Sequence, residues 1–401
     1  MKPIDSAVLL AACAAGLSAC SGMSNPLIGL QELWEEDLSR IAELQPVVNR
    51  IALTPLWDHS VGSEYSDPDS HVAPWIDRDH VLLAANDGEV VALNASTGAR
   101  IWEASVEGTI LAGVAADERQ AYVGTWEQEV FALNRETGAQ VWKQTMPSEV
   151  LNLKALPDGR LAVRTNDGRL SVLNAEDGEQ LWSHVHGSPS LTLRGAGEPE
   201  AQDDRVLSGF DDGRLIAFDA QSGLQHWEVR LAIPTGRTEL ERIVDVDGPV
   251  RLAEGVAYAA ALSNQVGAVE TVEGNLLWSK EVQAMHAPAV DEVAVYVTDL
   301  HSTLWSLDRR NGGVYWEQDE LAYRNLGAPA STGLHVIAVD FEGYLHWLRI
   351  TDGEIVARHK VDGPLQAPPQ VRLDRIYLLH LNGRFAAYQF VPLLGTAAGD
   401  S

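Results

Sequence analysis

Two short clusters of polar residues have side chains of the kind that bind metal ions. Asp245-Val246-Asp247 places two carboxylates on one side of an extended segment, but bound calcium needs about six to eight oxygen ligands. His184-Val185-His186 places two imidazoles on one strand face, with no third ligand for zinc in view. The chain has no serine–histidine–aspartate signature, HExxH helix or phosphate-binding loop. We therefore expect no catalytic residues, no metal and no cofactor.

The chain's two cysteines, Cys13 and Cys20, are too few for a disulfide framework, a cysteine-rich zinc site or a c-type haem motif. Leu17-Ser18-Ala19 precedes Cys20, after an apolar run from Ala7 that is too short to span a bilayer. This pattern predicts a lipoprotein signal peptide over 1–19 and a lipid-carrying Cys20. An ordinary signal peptide with a chance cysteine is the alternative. Because Ser21 follows the cysteine, we expect a lipid anchor at the periplasmic face of a Gram-negative outer membrane.

The composition restricts the kind of partner and the fold class. The chain has 401 residues, with 29 Lys and Arg against 57 Asp and Glu, and a formal net charge of −28. Such an acidic surface repels phosphate backbones and anionic lipid headgroups, which argues against nucleic-acid binding. The 34 glycines and 12 tryptophans favour an all-β protein with many tight turns and bulky packing residues.

The body of the chain repeats one motif eight times. In the first unit, Asn86-Asp87-Gly88 precedes the apolar run 89–94, Gly98 follows four residues later, and Trp102 follows Gly98 by four. The spacing returns in six further units and, truncated, in an eighth near the C terminus; the seventh has Ala357 in the tryptophan position. The tryptophans of the six complete units are Trp102, Trp142, Trp182, Trp227, Trp278 and Trp316.

Each part of the motif has a structural reason. Asp-Gly or Asn-Gly between two apolar runs forms a tight hairpin turn, because the central residues take positive φ. The Asn-x-x-x-Gly segment forms a second turn, in which the Asx side chain caps the backbone. About four strands in ~40 residues form one blade of a β-propeller. Because a blade buries its faces only against its neighbours, we expect the recurring tryptophans to pack between blades and not to stack on a ligand.

The sequence also predicts how the ring closes. The eighth unit lacks its tryptophan strand, whereas the apolar run 51–57, upstream of the first unit, ends in an unassigned Trp57. We therefore predict an all-β, eight-bladed β-propeller over 51–392, with four-stranded antiparallel blades and closure by this N-terminal strand. Residues 20–50 would hold the lipidated cysteine, a tether and a short helix over Gln31–Leu44, and 393–401 a disordered tail.

The units resemble the PQQ-type propeller repeat, and a lipidation motif followed by eight of them resembles the BamB family of outer-membrane assembly lipoproteins. The stretches 189–195 and 235–247 sharpen this resemblance, which covers nearly the whole chain. It implies a non-catalytic scaffold that binds the periplasmic POTRA domains of BamA and reaches other subunits through BamA. Direct contact with nascent β-barrel proteins stays open. The family's partner-binding residues correspond to Leu191, Leu193, Arg194, Asp245 and Asp247.

These five residues also have an interpretation of their own. The two leucines alternate, as do the two aspartates, so each pair shares one face of an extended segment. Exposed leucines beside an arginine and paired carboxylates have the composition of a small interface hot spot. The alternative is that the leucines are strand core and that Arg194 pairs with the aspartates inside the chain. The sequence leaves both roles of Arg194 open.

Two other functions fit the repeat. One is a PQQ-dependent periplasmic dehydrogenase; the resemblance implies that such enzymes are larger, carry a vicinal cysteine pair, and hold calcium ligands and an acidic base in the channel. The mature chain has no cysteine pair. The other is a periplasmic propeller that binds a carbohydrate or peptide in its channel, and nothing in the sequence argues against it.

Overall fold

The computed structural model describes residues 40–62, 65, 70–187, 197–232, 250–261, 265–284 and 286–393. From Ala42 onward the chain forms one compact unit. In these residues it is an eight-bladed β-propeller, as the repeats predict, and it contains no helix that could cross a membrane.

Every blade contains an antiparallel sheet of four strands, which are consecutive in the chain except at the closure. Blades 1 to 4 comprise β3 (Trp75–Ile76), β4 (His80–Ala84), β5 (Glu89–Asn94) and β6 (Arg100–Ser105); β7 (Ile110–Ala116), β8 (Gln120–Thr125), β9 (Glu129–Asn134) and β10 (Gln140–Thr145); β11 (Val150–Leu156), β12 (Arg160–Thr165), β13 (Arg169–Asn174) and β14 (Gln180–Val185); and β15 (Glu200–Gln202), β16 (Arg205–Phe210), β17 (Arg214–Asp219) and β18 (Gln225–Arg230).

Blades 5 to 8 follow the same plan. They comprise β19 (Arg251–Ala253), β20 (Val256–Ala261), β21 (Gln265–Glu270) and β22 (Leu276–Glu281); β23 (Ala289–Val290), β24 (Ala294–Thr298), β25 (Leu304–Asp308) and β26 (Val314–Gln318); β27 (Ala330–Ser331), β28 (His335–Val339), β29 (Tyr344–Arg349) and β30 (Ile355–Lys360); and β31 (Gln370–Arg372), β32 (Arg375–Leu379), β33 (Arg384–Pro392) and β1 (Ile51–Ser60). A short strand β2 (His71–Val72), absent from the sequence prediction, pairs in parallel with β7 and gives blade 2 a fifth strand.

The N-terminal strand closes the ring as predicted. β1 pairs antiparallel with β33 from Ile51 opposite Pro392 to Ser60 opposite Arg384, with an irregularity between Pro55 and Trp57. The last blade is therefore assembled from both ends of the propeller. Because its outer strand comes from the N terminus, no single hairpin unit can form this blade alone.

The two ends of the described chain differ from the prediction in part. Residues 41–44, the end of the predicted helix, are not helical. Ala42 N instead donates to Ala322 O, in the connection from blade 6 to blade 7, at 3.0 Å. Backbone and side-chain groups of the ring thus take the place of helical hydrogen bonds. The rest of the predicted helix lies outside the described residues. Leu393 belongs to the ring, since its N–H donates to Arg50 O at 2.8 Å, and the remaining tail is likewise outside the described residues.

The connections between blades place two segments of interest on either side of blade 4. In each blade the first strand contacts the first strands of its neighbours around the centre, and the last strand forms the outer edge. The chain between Gly187 and Gly197 leads from the outer strand of blade 3 to the inner strand of blade 4. The chain between Ala232 and Val250 leads from blade 4 to blade 5 in the same way.

Candidate functional site

The predicted partner-binding residues Leu191, Leu193, Arg194, Asp245 and Asp247 lie outside the described residues, as does Cys20. The structure does describe the positions at which the two segments leave and re-enter the ring. We therefore define the candidate site as blade 4 with the flanking ends of blades 3 and 5.

The segments re-enter the ring at one cluster of charged side chains, which we call the inner cluster: Lys154, Glu198, Glu200 and Arg251. Lys154 Nζ lies 3.2 Å from Glu198 Oε1 and 3.0 Å from Glu200 Oε1. Arg251 Nη1 lies 4.0 Å from Glu198 Oε2 and 3.8 Å from Glu200 Oε1. The four residues come from the inner strands of blades 3, 4 and 5 or the residues just before them, so the cluster joins all three blades.

The inner cluster is largely shielded from water, with 29% of the Lys154 side chain and 12% of the Glu200 side chain exposed. Burial alone would lower the pKa of Lys154, but Glu198 and Glu200 outweigh it and hold that pKa above its ordinary value. Burial raises the pKa of Glu200, and the Lys154 ammonium opposes that rise. The lysine is therefore a fixed cation beside Glu198 and Glu200, suited to holding strands together.

At the outer edge, a second cluster joins blade 3 to blade 4. His186 Nε2 lies 3.1 Å from Asp212 Oδ2, and Arg214 Nε lies 2.8 Å from the same oxygen. Burial would raise the pKa of Asp212, yet the hydrogen bond with His186 and the positive charge of Arg214 lower it. The carboxylate therefore stays ionised and ties the beginning of the first segment to the β16–β17 hairpin.

The histidine pair of the sequence analysis belongs to this interface. The rings of His184 and His186 lie 6.4 Å apart on one face of the chain. His184 packs at 4.7 Å from Phe218, and His186 at 4.5 Å from Phe210. Within the ranges that the structure describes, no three potential metal-binding side chains converge. The pair therefore packs blade 3 against blade 4.

The tryptophans of the motif lie between consecutive blades. Trp182 of blade 3 donates its indole N–H to Ala220 O of blade 4 at 3.0 Å, and Trp227 of blade 4 donates to Thr271 O of blade 5 at 2.9 Å. Equivalent bonds to the next blade are made by Trp102, Trp142, Trp278 and Trp316. Trp57 lies against Gly98 of blade 1. Each ring rests on the turn glycine of the neighbouring blade, so its shape specifies where that neighbour sits.

Sequence reasoning missed the inner cluster because its members are far apart in the chain. A signal was present: Glu198-Pro199-Glu200 leads into the first strand of blade 4, and Lys154 lies on the preceding inner strand, which is otherwise mostly apolar. Aligning the inner strands of successive repeats would have placed these charges side by side.

Comparison with known proteins identifies what the chain is similar to. A family model described as "Outer membrane protein assembly factor BamB" matches residues 52–110 and 86–318. The protein of that name from Alkalilimnicola ehrlichii is 46% identical over 352 residues, which are 88% of this chain and 92% of the relative. The one from Pseudomonas aeruginosa is 44% identical over 348 residues, 86% of this chain and 92% of the relative.

Solved structures agree on the fold. The crystal structure of BamB from Moraxella catarrhalis superposes with a TM-score of 0.76 at 26% identity and covers 84% of this chain and 100% of that one. A quinohemoprotein alcohol dehydrogenase from Comamonas testosteroni has a TM-score of 0.67 at 14% identity and covers 88% of this chain and 78% of its own. The second likeness concerns the propeller fold alone.

Proposed function

The chain belongs to the family of outer membrane protein assembly factors called BamB, and from this premise we propose that it is a non-catalytic scaffold subunit of the β-barrel assembly (BAM) complex. In this role it binds the periplasmic POTRA domains of BamA and aids the insertion of β-barrel proteins. Leu191, Leu193, Arg194, Asp245 and Asp247 form the contact, with the leucines as the apolar anchor and the charges setting orientation.

The observation that carries this proposal is the convergence of both predicted contact segments on blade 4. One segment ends just before Glu198 and the other just before Arg251, and both of these residues belong to the inner cluster. Two segments with neighbouring return points present a composite surface to a single partner domain. Charge pairs join the two return points. Binding therefore costs less conformational entropy there than at a part of the rim that has no such pairs.

A scaffold role also agrees with how the ionisable groups of the candidate site are used. Lys154, Asp212 and Arg214 each pair with neighbouring side chains of the ring. A catalytic group needs an environment that lets it exchange a proton or bond to substrate, and these groups are instead committed to blade contacts. The rival function, a quinone-dependent dehydrogenase, is tested by the absorbance of purified protein, in which a bound quinone would be visible.

We further propose that Cys20 carries lipid and holds the ring at the periplasmic face of the outer membrane. The chain joins the ring through a segment bound to blade 7, where Arg324 Nη1 donates to Ala42 O at 3.0 Å and Arg358 Nη1 to Gln45 O at 2.6 Å. At such a junction, a pull on the anchor would act on the rigid ring and not on β1. Mass spectrometry of the mature protein tests this, and an unmodified Cys20 would contradict it.

The test of BamA binding is capture of BamA by single variants of the full mature chain. Leu193→Ala, Arg194→Glu and Asp245→Ala should each reduce capture, with Arg194→Glu weakening binding by about 2 kcal/mol or more if the charge is desolvated at the contact. Matched controls are Leu373→Ala and Arg372→Glu, which change exposed residues of blade 8, across the ring from blade 4.

The controls should capture BamA as wild type does, and circular dichroism should show all five variants folded. If the variants at Leu193, Arg194 and Asp245 all capture BamA undiminished, the contact surface lies elsewhere on the ring.

A further inference from the structure

The outer strands of the eight blades differ in how they are protected. An outer strand presents backbone N–H and C=O groups that another chain can pair with, and natural proteins guard such edges with charges, prolines or covering segments. Seven of the eight outer strands carry at least one charged side chain. These are Asp58 on β1, Glu103 on β6, Lys143 on β10, Glu228 on β18, Lys280 on β22, Glu317 on β26 and Arg358 on β30.

Two of the seven edges have further protection. β1 contains Pro55 and a register shift beside it. β30 is covered by the N-terminal segment, since Arg50 N donates to Val356 O at 2.8 Å. Most outer strands of this ring are therefore protected against pairing with another chain.

β14 is the exception. Its sequence from Gln180 to Val185 contains no aspartate, glutamate, lysine, arginine or proline. Leu181 is 47% exposed and Val185 is 54% exposed. At the position of Val185 the other outer strands have polar residues, for example Glu281 on β22. An uncharged edge with exposed apolar side chains is the usual template for pairing with another strand.

The hydrogen-bond pattern shows which groups β14 presents. His186 N donates to Gly168 O at 3.1 Å, and His184 lies opposite Leu170 of β13. In an antiparallel pair, residues bonded to the partner strand alternate with residues whose peptide groups point away. The N–H and C=O of Ser183 and Val185 therefore point away from β13, along an edge with which no strand of the described residues pairs.

β14 is also held rigidly, which favours binding. On the face opposite Leu181 and Val185, Trp182 and His184 pack against Phe218 of blade 4, with ring centroids 5.9 and 4.7 Å away. A strand already fixed in extended form loses little conformational entropy when a partner pairs with it.

We propose that β14 binds an extended segment of an unfolded outer-membrane β-barrel protein as an added strand. This inference rests on the proposed function, from which the client class follows. The backbone of the segment pairs with Ser183 and Val185. Side chains at every second position of the segment lie beside Leu181 and Val185, where apolar residues fit. Strands of membrane barrels alternate apolar and polar residues and match this demand.

The edge also ends two residues before the segment proposed to bind BamA, which begins after Gly187. A client strand bound to β14 therefore lies next to the BAM complex. Pairing with β14 also keeps it from pairing with other unfolded chains. Like charges do not oppose it, because β14 carries none in a chain with a net charge of −28.

The test uses the full mature protein and a fluorescent ten-residue peptide with the alternating pattern of a barrel strand, followed by anisotropy. Val185→Lys and Leu181→Lys should each weaken binding at least tenfold. The matched control is Leu277→Lys, which changes an exposed residue that precedes Trp278 on the guarded β22 as Leu181 precedes Trp182. The control should stay within twofold of wild type.

A second probe tests whether backbone hydrogen bonds of the peptide contribute to binding. The same peptide with N-methyl groups on alternate residues cannot donate along one edge, so its binding should fall at least tenfold. Equal binding of the methylated peptide, undiminished binding to both lysine variants, or no binding to wild type would each overturn the proposal.

Capture of BamA, measured in parallel, separates this proposal from the proposed function. Leu181→Lys, at the end of β14 away from the proposed BamA contact, should capture BamA as wild type does while losing the peptide. If Leu181→Lys loses BamA and retains the peptide, β14 contacts the complex and not the client, and the inference is wrong. If wild type fails to capture BamA yet binds the peptide through β14, the scaffold proposal is wrong, but the proposal that β14 binds an added strand is supported.

Discussion

Trp102 of blade 1 and Gly138 of blade 2 lie in direct contact. The indole ring covers the glycine so closely that a Cβ built on Gly138 would lie 2.6 Å from Trp102 Cε3. The indole N–H donates to Arg135 O of the same turn at 2.7 Å. The tryptophan and the glycine of each repeat are thus two halves of one contact between neighbouring blades, which explains why they recur together.

Gly138→Ala should destabilise the ring more than an ordinary glycine substitution does. Both Gly138 and Gly159 have positive φ, 72° and 70°, so an alanine at either position costs about 1–2 kcal/mol of backbone strain. Nothing lies within 4 Å of a Cβ at Gly159, whereas Gly138 faces the ring of Trp102. The clash should add about 1–3 kcal/mol. Urea denaturation of both variants measures the difference, and equal losses would contradict the proposed packing.

The seventh repeat has Ala357 where the others have tryptophan, and the fold gives the reason. Blade 8 has no Asx turn after its third strand, because β33 runs on to Pro392 and the outer strand comes from the N terminus. A tryptophan at this position would have no turn glycine to cover. Trp347 of blade 7 packs instead against Phe390 of β33, with ring centroids 5.1 Å apart.

Deleting the closing strand should destabilise the whole ring. β1 supplies the outer edge of blade 8, and Trp57 rests on Gly98 of blade 1. A mature chain lacking 21–60 loses both contacts and should melt at a clearly lower temperature. A chain lacking only 21–41 keeps them and serves as the control. Equal melting temperatures of the two truncated proteins would show that β1 is not needed for closure.

The sequence predicted the ring well because the repeat is local. In the first six units the turn glycines and the tryptophan lie within about 20 residues of each other, and five of these units also have an Asx residue at the second turn, so spacing alone specifies a blade. The inner cluster has no such local pattern: Lys154 and Arg251 are far apart in sequence and meet only because the ring brings three inner strands together. The exposed edge of β14 was not predicted for another reason. An outer strand that lacks charged residues and proline is recognised only when all eight outer strands are compared.

Removing one charge of the inner cluster should weaken the joint between blades 3 and 4. Lys154→Met leaves Glu198 and Glu200 close together and partly buried, with only the more distant Arg251 as their cation, which should cost about 1–3 kcal/mol. Glu200→Gln should lower the free energy of unfolding by less, because Lys154 still pairs with Glu198. The double variant should lose less than the sum of the single losses, since the residues contact each other. Additive losses in urea denaturation would mean that the pair is not coupled.

Stability should also decrease as pH falls from about 7 to about 5. Burial lowers the pKa of several histidines in the described ranges, and in His346 it outweighs the attraction of Asp340. The affected residues are His184, His286, His335, His346, His359 and His380. The ordinary histidine pKa of about 6.5 applies to the unfolded chain. Below that pH the unfolded chain therefore binds more protons than the folded one, and each histidine lowers the free energy of unfolding by up to about 1.4 kcal/mol per pH unit.

His346 offers the sharpest test of this dependence, because its hydrogen bonds specify the neutral form. Arg358 Nε donates to His346 Nδ1 at 3.2 Å, so the proton lies on Nε2, which donates to Asp340 Oδ2 at 3.0 Å. Protonating Nδ1 would turn that hydrogen bond into a repulsion with Arg358. Gln at this position offers an amide N–H and a carbonyl but does not titrate. His346→Gln should therefore flatten the loss of stability between pH 7.5 and 5.5. Urea denaturation at pH 7.5, 6.5 and 5.5 measures these slopes; equal slopes for His346→Gln and wild type would show that this histidine does not drive the change.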